Sequence, residues 1–447
     1  MRILAALLAV VACGASGPAA TAGQDALEVL TLDHALALAR EHNRPTQAAS
    51  LDEARAADRT AALHTQRYPA FDLKVFEGGF LSPLAFTFRE GAFGTYPATG
   101  PIPFTDIEVE SPRTLATGVL FTAVQPLTQL RRLSTGERLL DLERQIAAQK
   151  TRAAQQQAVG DVRRAYYGLQ QVRAGLDAIG QALTQLEELQ RVVGQYVERQ
   201  VALEGDRLAV QTERARAEHT RLTLRNQQAT LQETLNLLMG RDLAMRFDVE
   251  PLREAAPAPQ DLDAVVARAR EHRPAVLEAE LNVRRADANL RLKRQERMPD
   301  VSLAFGMLRL FNVEVLPPTW AAASVLVSWE PFDWGRRSHE ADERERTLEQ
   351  ARLGLEEARA RVEVDVREKS RAVADARDAL TVARLARDTA AERLRVATDR
   401  YRVEASLLKD VLEAQTALAR TTQEYQQALG AFWTARADFD QAVGADE

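Results

Sequence analysis

Two stretches of the chain alternate apolar residues with small or polar ones at a period of two. After Pro299, Val301, Leu303, Phe305 and Met307 alternate with Ser302, Ala304 and Gly306, which is the pattern of a strand with one apolar face. Ala323, Val325 and Val327 alternate with Ser324 and Ser328, blurred by Leu326 and Trp329, and predict a second strand over about 321–330. Elsewhere the dominant feature is missing proline. None lies between Pro126 and Pro251, and none follows Pro331. A proline inside a helix costs about 3 kcal/mol, and both tracts are rich in good helix formers. They predict helices over roughly 134–200 and 338–402, each about 100 Å long at 1.5 Å per residue. A short break follows near 201–205 and 403–406, and return helices run to about 239 and 443.

The pattern occurs twice. Leu32-Asp33-His34-Ala35 returns as Leu262-Asp263-Ala264-Val265, Arg40-Glu41-His42 as Arg270-Glu271-His272, and Arg67-Tyr68-Pro69 as Arg297-Met298-Pro299, all 230 residues on. Gln125-Pro126-Leu127 returns as Glu330-Pro331-Phe332 at 205, and Asp206, Leu208 and Gln211-Thr212 as Asp410, Leu412 and Gln415-Thr416 at 204. The first copy therefore carries about 25 extra residues, which fall in the Gly- and Pro-rich tract 81–114 and read as a long loop. Each copy begins with an amphipathic helix, about 31–66 and 261–296, with Asp33 or Asp263 near its start, where a carboxylate suits the helix dipole. Strands follow Pro69 and Pro299, and second strands are expected over about 115–125 and 321–330.

Composition narrows the classes. Of 447 residues, 46% are hydrophobic and 27% charged, so the chain is not compositionally disordered. A net charge of −6 argues against nucleic-acid binding. A single cysteine, Cys13, excludes a disulfide framework and any multi-cysteine metal site. Six histidines show no helical i, i+4 metal pair with a nearby glutamate, and no phosphate-binding or nucleophile-elbow string occurs. His42 and His272, at equivalent positions, read as helix-end chemistry. No cofactor and no enzymatic activity is expected. The N-terminus has a basic start, an apolar run Ile3–Ala12 and an Ala20-Thr21-Ala22 cleavage pattern, which predict a signal segment over 1–22. Val10-Val11-Ala12-Cys13 competes with that reading as a lipidation sequence, with Cys13 the acylated residue. Either way the chain leaves the cytoplasm.

A helix of about 100 Å serves distance rather than compactness. Strands of about ten residues are long enough to cross a bilayer. Four of them cannot close a barrel alone, and lipid tolerates no open sheet edge, so they must close with strands of other subunits. Trp320, Trp329, Phe332 and Trp334 stand at strand ends, where an aromatic belt would sit.

The set of features in this order resembles the TolC-type outer-membrane efflux family over essentially all of the mature chain. Pro331-Phe332-Asp333-Trp334-Gly335 resembles the family's turn from the last strand into the long helix. Arg400-Tyr401-Arg402-Val403 through Lys409-Asp410-Val411-Leu412-Glu413-Ala414-Gln415 resembles its periplasmic turn, and Asn236-Leu237-Leu238-Met239-Gly240 the ending of its first repeat. The resemblance implies a mainly α fold with a small β part. Two repeats, 23–250 and 251–447, would follow the signal segment. Three chains would join four strands each into a 12-stranded outer-membrane barrel above a periplasmic helical barrel. It further implies a duct for efflux or type I secretion, served by a periplasmic adaptor and an inner-membrane RND or ABC pump. A periplasmic adaptor or a coiled-coil scaffold is the alternative. An adaptor does not explain two full repeats, and a scaffold explains neither the signal segment nor the paired strands.

The same resemblance assigns site residues. The tips that would meet the adaptor are Gln200, Val201, Ala202 and Leu203 in the first repeat, and Glu404, Ala405 and Ser406 in the second. Glu404 and Gln200 replace the expected tip glycine, the usual residue for positive φ. Asp410 and Glu413, three apart on one helix face, fall where family members carry acidic rings at the periplasmic mouth, with Asp206 their counterpart in the first repeat. Outside that resemblance, Asp410 reads as a helix cap. Ser406 stands where the family carries an arginine, which leaves Arg199, Arg207 or Arg402 as possible partners.

Overall fold

The computed structural model describes residues 28–79, 85–110, 115–200, 202–253, 261–311, 317–403 and 405–444. In chain order the elements are β1 (Val29–Leu30), α1 (Leu32–His42), α2 (Arg44–Thr65), β2 (Ala70–Gly79), β3 (Ala85–Phe88), β4 (Thr95–Tyr96), β5 (Gly100–Pro101), β6 (Ile107–Glu110), β7 (Leu115–Pro126), α3 (Gln129–Glu198), α4 (Glu204–Leu238), β8 (Asp248–Val249), α5 (Leu262–His272), α6 (Pro274–Gln295), β9 (Asp300–Phe311), β10 (Thr319–Ser328), α7 (Arg336–Arg402) and α8 (Leu408–Val443). The helix α3 has 70 residues and α7 has 67, lengths of about 100 Å each.

The first helix of each repeat is two helices, not the single one the periodicity suggests. The break falls at Asn43 and Arg273, both in extended backbone. Pro45 and Pro274 sit at the first or second position of the new helix, where a missing N–H is harmless, and neither can extend the helix before it. The breaks are tied down differently. Buried Asn43 accepts from the Thr46 N–H at 3.2 Å and donates to the Leu238 carbonyl at 3.0 Å. Arg273 instead pairs with Asp365 of α7 at 2.5 Å.

Two apolar clusters hold the middle of the molecule. One joins Leu30, Leu36 and Ala39 to Val162, Tyr166 and Leu169 of α3, and to Leu235, Met239 and Val249. Its Tyr166 hydroxyl donates to the Leu30 carbonyl at 2.8 Å, and burial pushes its pKa up to about 12. The other joins Val265, Val266 and Val276 to Val362 and Val366 of α7 and to Phe439 and Val443 at the end of α8. The ending of the first repeat has a clear function here. Fully buried Asn236 donates to the carbonyls of Met245 (2.8 Å) and Leu243 (3.3 Å), and Gly240 turns the chain at φ +69°.

The main sheet has the order β10-β9-β7-β2, antiparallel throughout, so the strand pair of each repeat lies beside that of the other, β7 meets β9, and β2 and β10 are the edges. Tract 81–114 is not the plain loop expected. Among its described residues, β3 pairs with β6 and β4 with β5. Both pairs are antiparallel, and the sum of the paired positions rises by one from β2–β7 to β3–β6 and by one more to β4–β5. Strands of four and two residues are too short for their alternation to stand out among the glycines and prolines.

Candidate functional site

Side chains alternate across a sheet, and the register sorts this one into two faces. Phe71, Leu73 and Val75 of β2 share a face with Val119, Phe121 and Ala123 of β7. Leu303, Phe305 and Met307 of β9 and Ala323, Val325 and Val327 of β10 continue it. Phe121 stacks on Phe71 at 6.1 Å and meets Phe305 edge-on at 6.4 Å. This apolar face is charged only toward the hairpin end, by Glu77 and Arg309. The other face carries Asp72, Lys74, Thr122, Ser302, Ser324 and Ser328, with Gly118, Gly306, Ala304 and Ala322 among them. Trp320 lies on this mixed face at the hairpin end of β10, away from Trp329, Phe332 and Trp334. The four aromatic residues therefore do not form one belt. An even position in the register directs Trp320 off the apolar face.

The sheet passes into the helices through built junctions. Asp333 accepts from the N–H groups of Gly335 and Arg337, each at 3.1 Å. The Arg337 N–H is the main cause that holds its carboxyl below the usual range. Trp334 and Gly335 both take positive φ, which explains the glycine in that motif. Glu137 of α3 lies 2.5 Å from Arg67 and 3.0 Å from His64; burial opposes its ionisation, yet these partners outweigh it and lower its pKa.

At the far end the two helix turns lie side by side. Val193 and Val210 of the first turn share a cluster with Leu408 of the second, flanked by Tyr401 and Leu412. The Tyr196 and Tyr401 rings are 6.4 Å apart, and burial, with Tyr196 and Asp206 nearby, pushes the Tyr401 hydroxyl pKa up. Gln200 takes φ +61°, so the first tip does adopt the conformation for which glycine is usual, at a cost of about 1–2 kcal/mol. Ala202 donates to the Tyr196 carbonyl at 3.3 Å and Ala405 to that of Arg400 at 2.8 Å. Ser406 donates to Ala397 at 3.4 Å. Leu203 and Leu407 stand at equivalent places, both largely exposed. Val201 and Glu404 lie outside the described residues, as do the signal segment 1–22, the Ala22 cleavage position and Cys13.

The three acidic residues expected at the mouth sit on these turns. Asp206 accepts from the Leu203 N–H at 3.0 Å and Asp410 from the Leu407 N–H at 3.1 Å, so each caps its own return helix. Glu413 is exposed and pairs with Lys409 at 3.5 Å. Asp206 and Glu413 line one open groove of about 640 Å³ between α4 and α8, with Glu213, Lys409 and Arg420. Arg207 bonds Glu204 on its own helix. Among the described residues no group of three or more metal-ligating side chains converges, and no helix is long and apolar enough to cross a membrane. Sequence reasoning missed the pairing of β7 with β9 and the mixed face. Strand partners far apart in sequence leave no periodic trace.

Residues 265–445 match the family model of the outer membrane efflux protein. A comparison with curated proteins by sequence finds no match. Among solved structures the fold is similar to CusC, at a TM-score of 0.75 and 16% identity over 92% of this chain and 91% of that one. It is similar to the Campylobacter jejuni CmeC outer membrane channel, at 0.75 and 12% over 92% and 85%. The open state of the Neisseria gonorrhoeae MtrE outer membrane channel matches at 0.70 and 16%, over 92% and 88%. The second part of the chain thus matches the outer membrane efflux protein family model, and almost its whole length shares the fold of these outer-membrane channels.

Proposed function

We propose that this chain is one third of an outer-membrane duct, through which an inner-membrane pump and a periplasmic adaptor deliver substrates to the exterior. The observation that carries this reading is the sheet. It has one apolar face and two open edges, β2 and β10, and it is joined directly to helices of about 100 Å. Lipid accepts the face but not the edges, so β10 of one copy pairs with β2 of the next. Three copies give twelve strands, within the range of outer-membrane barrels. The chain is then a signal segment, 1–22, and two repeats, 23–250 and 251–447. The long helices cross the periplasm, and the tips at Gln200–Leu203 and Glu404–Ser406 meet the adaptor. The duct performs no chemistry of its own, and its energy comes from an RND or ABC pump. Crosslinking in native outer membranes is expected to stop at three chains. A monodisperse monomer that leaves membranes without detergent sinks the reading.

At the periplasmic mouth, Asp410, Glu413 and Asp206 would each appear three times around the axis. Three-fold repetition turns the groove lined by Asp206 and Glu413 into a collar of negative potential, which favours cations. Asp410→Asn with Glu413→Gln should lower cation selectivity in planar bilayers several-fold and weaken block by multivalent cations, leaving the trimer intact. Unchanged selectivity and block would reduce Asp410 to its capping bond with Leu407.

A further inference from the structure

We propose that the mixed face of the sheet, near its hairpin end, holds an apolar hollow around Trp320 that receives lipophilic organic molecules in transit. The inference rests on the duct reading, in which the mixed face lines the lumen. Toward the helices that face mixes Asp72, Thr122, Ser302, Ser324 and Ser328 with Val124, Leu326 and small residues. Toward the hairpin end it changes character. Leu120, Leu308 and Trp320 stand in one row across β7, β9 and β10, and Phe76, Gly118 and Leu310 form the next. The only charge in these two rows is Lys74, which lies 3.4 Å from Asp72 and is neutralised by it.

The row is also hollow. Gly306 and Ala322 beside it leave room, and an open, shallow groove of about 490 Å³ runs along Leu120, Leu308, Trp320, Pro317 and Thr319. Gly118 has a related role: a Cβ there would lie 2.2 Å from the Phe76 ring, so glycine lets that ring lie across β7. Trp320 is half exposed, yet its indole N–H donates to the Pro317 carbonyl at 2.9 Å. An indole has one donor and no acceptor. With that donor taken, the ring offers a passing molecule only its π-face and edge. Such a surface holds aromatic or aliphatic bodies, including lipophilic cations over the ring, and has nothing for hydrated ions or sugars. The hollow takes no part in driving transport. It gives apolar cargo a last resting place before the exit.

The test uses the full chain in planar bilayers, with tetraphenylphosphonium or tetraethylammonium added on the barrel side. Both ions carry one positive charge, so a difference between them reports apolar contact. Tetraphenylphosphonium is expected to interrupt the current about tenfold longer than tetraethylammonium. Trp320→Ser with Leu308→Ser should remove that difference, Trp320→Phe should keep it, and potassium chloride conductance should stay the same in all three. Equal block by the two ions in the unaltered chain overturns the proposal, as does a difference that survives the double variant. Either result means that the hollow is filled by the neighbouring copy's β2 or does not hold solutes. A chain that opens no channels at all brings down the duct reading and this one together, whereas channels with equal block bring down only the hollow.

Discussion

In the proposed duct, Phe121→Arg combined with Phe305→Arg is expected to abolish insertion into the outer membrane. Both rings lie on the apolar face of the sheet, in contact with each other at the middle of β7 and β9. An arginine facing lipid at the bilayer midplane costs about 2–4 kcal/mol in a barrel. Two together approach the whole stability of a typical domain. Membrane flotation and the trimer band on a semi-native gel are the measurements. The control is Thr122→Arg with Ser324→Arg, on the same strands or their neighbour but on the mixed face, where a water-filled lumen accepts the charge. Normal insertion of the first pair, or equal failure of the second, would show that the faces are assigned the wrong way round.

Gly240→Ala prevents the first repeat from closing. The backbone there has φ +69°, and a Cβ would stand 2.6 Å from the His42 carbonyl oxygen. The positive φ alone costs about 1–2 kcal/mol. The clash is with backbone, which cannot rotate away, so the total reaches about 3 kcal/mol or more. The damage falls on the turn that carries Asn236, Met239 and the α1–α2 break held by Asn43. The expected result is loss of assembled protein and rapid proteolysis in the periplasm. Gly180→Ala and Gly194→Ala lie within α3 with open space at their Cβ positions. They should stabilise the helix by up to about 1 kcal/mol each, because alanine restricts the unfolded chain. Equal tolerance of all three substitutions would remove the argument from Gly240.

Much of this architecture was legible because it is local. The boundaries of α3, α7 and their return helices follow from proline-free tracts, and the start of β9 follows from strict alternation after Pro299. Asp333 and Gly335 stood out as a motif, and the structure supplies the reason in two hydrogen bonds and a positive φ. What escaped is what depends on distant partners. The helix breaks at Asn43 and Arg273 are the exception, because Pro45 and Pro274 mark them locally although the apolar periodicity runs on. The face of Trp320 could be known only once β10 was set in register against β9. Asp206 and Asp410 were recognisable as counterparts and Asp410 as a helix cap, and both bond the backbone of their own turns.

The short parallel pairing of β1 with β8 places Val29 beside Asp248 and Leu30 beside Val249. The first repeat thus begins and ends at one spot. The second repeat does the same, since Val265 and Val266 near its start share a cluster with Ala442 and Val443 at its end. A unit whose two ends meet can be copied head to tail in a gene without a long new linker and without disturbing its interior. Such a duplication would account for the recurring motifs 230 and 204 residues apart. The two copies differ most at their outer parts: the first carries the strand pairs β3–β6 and β4–β5, and the two tips have different sequences.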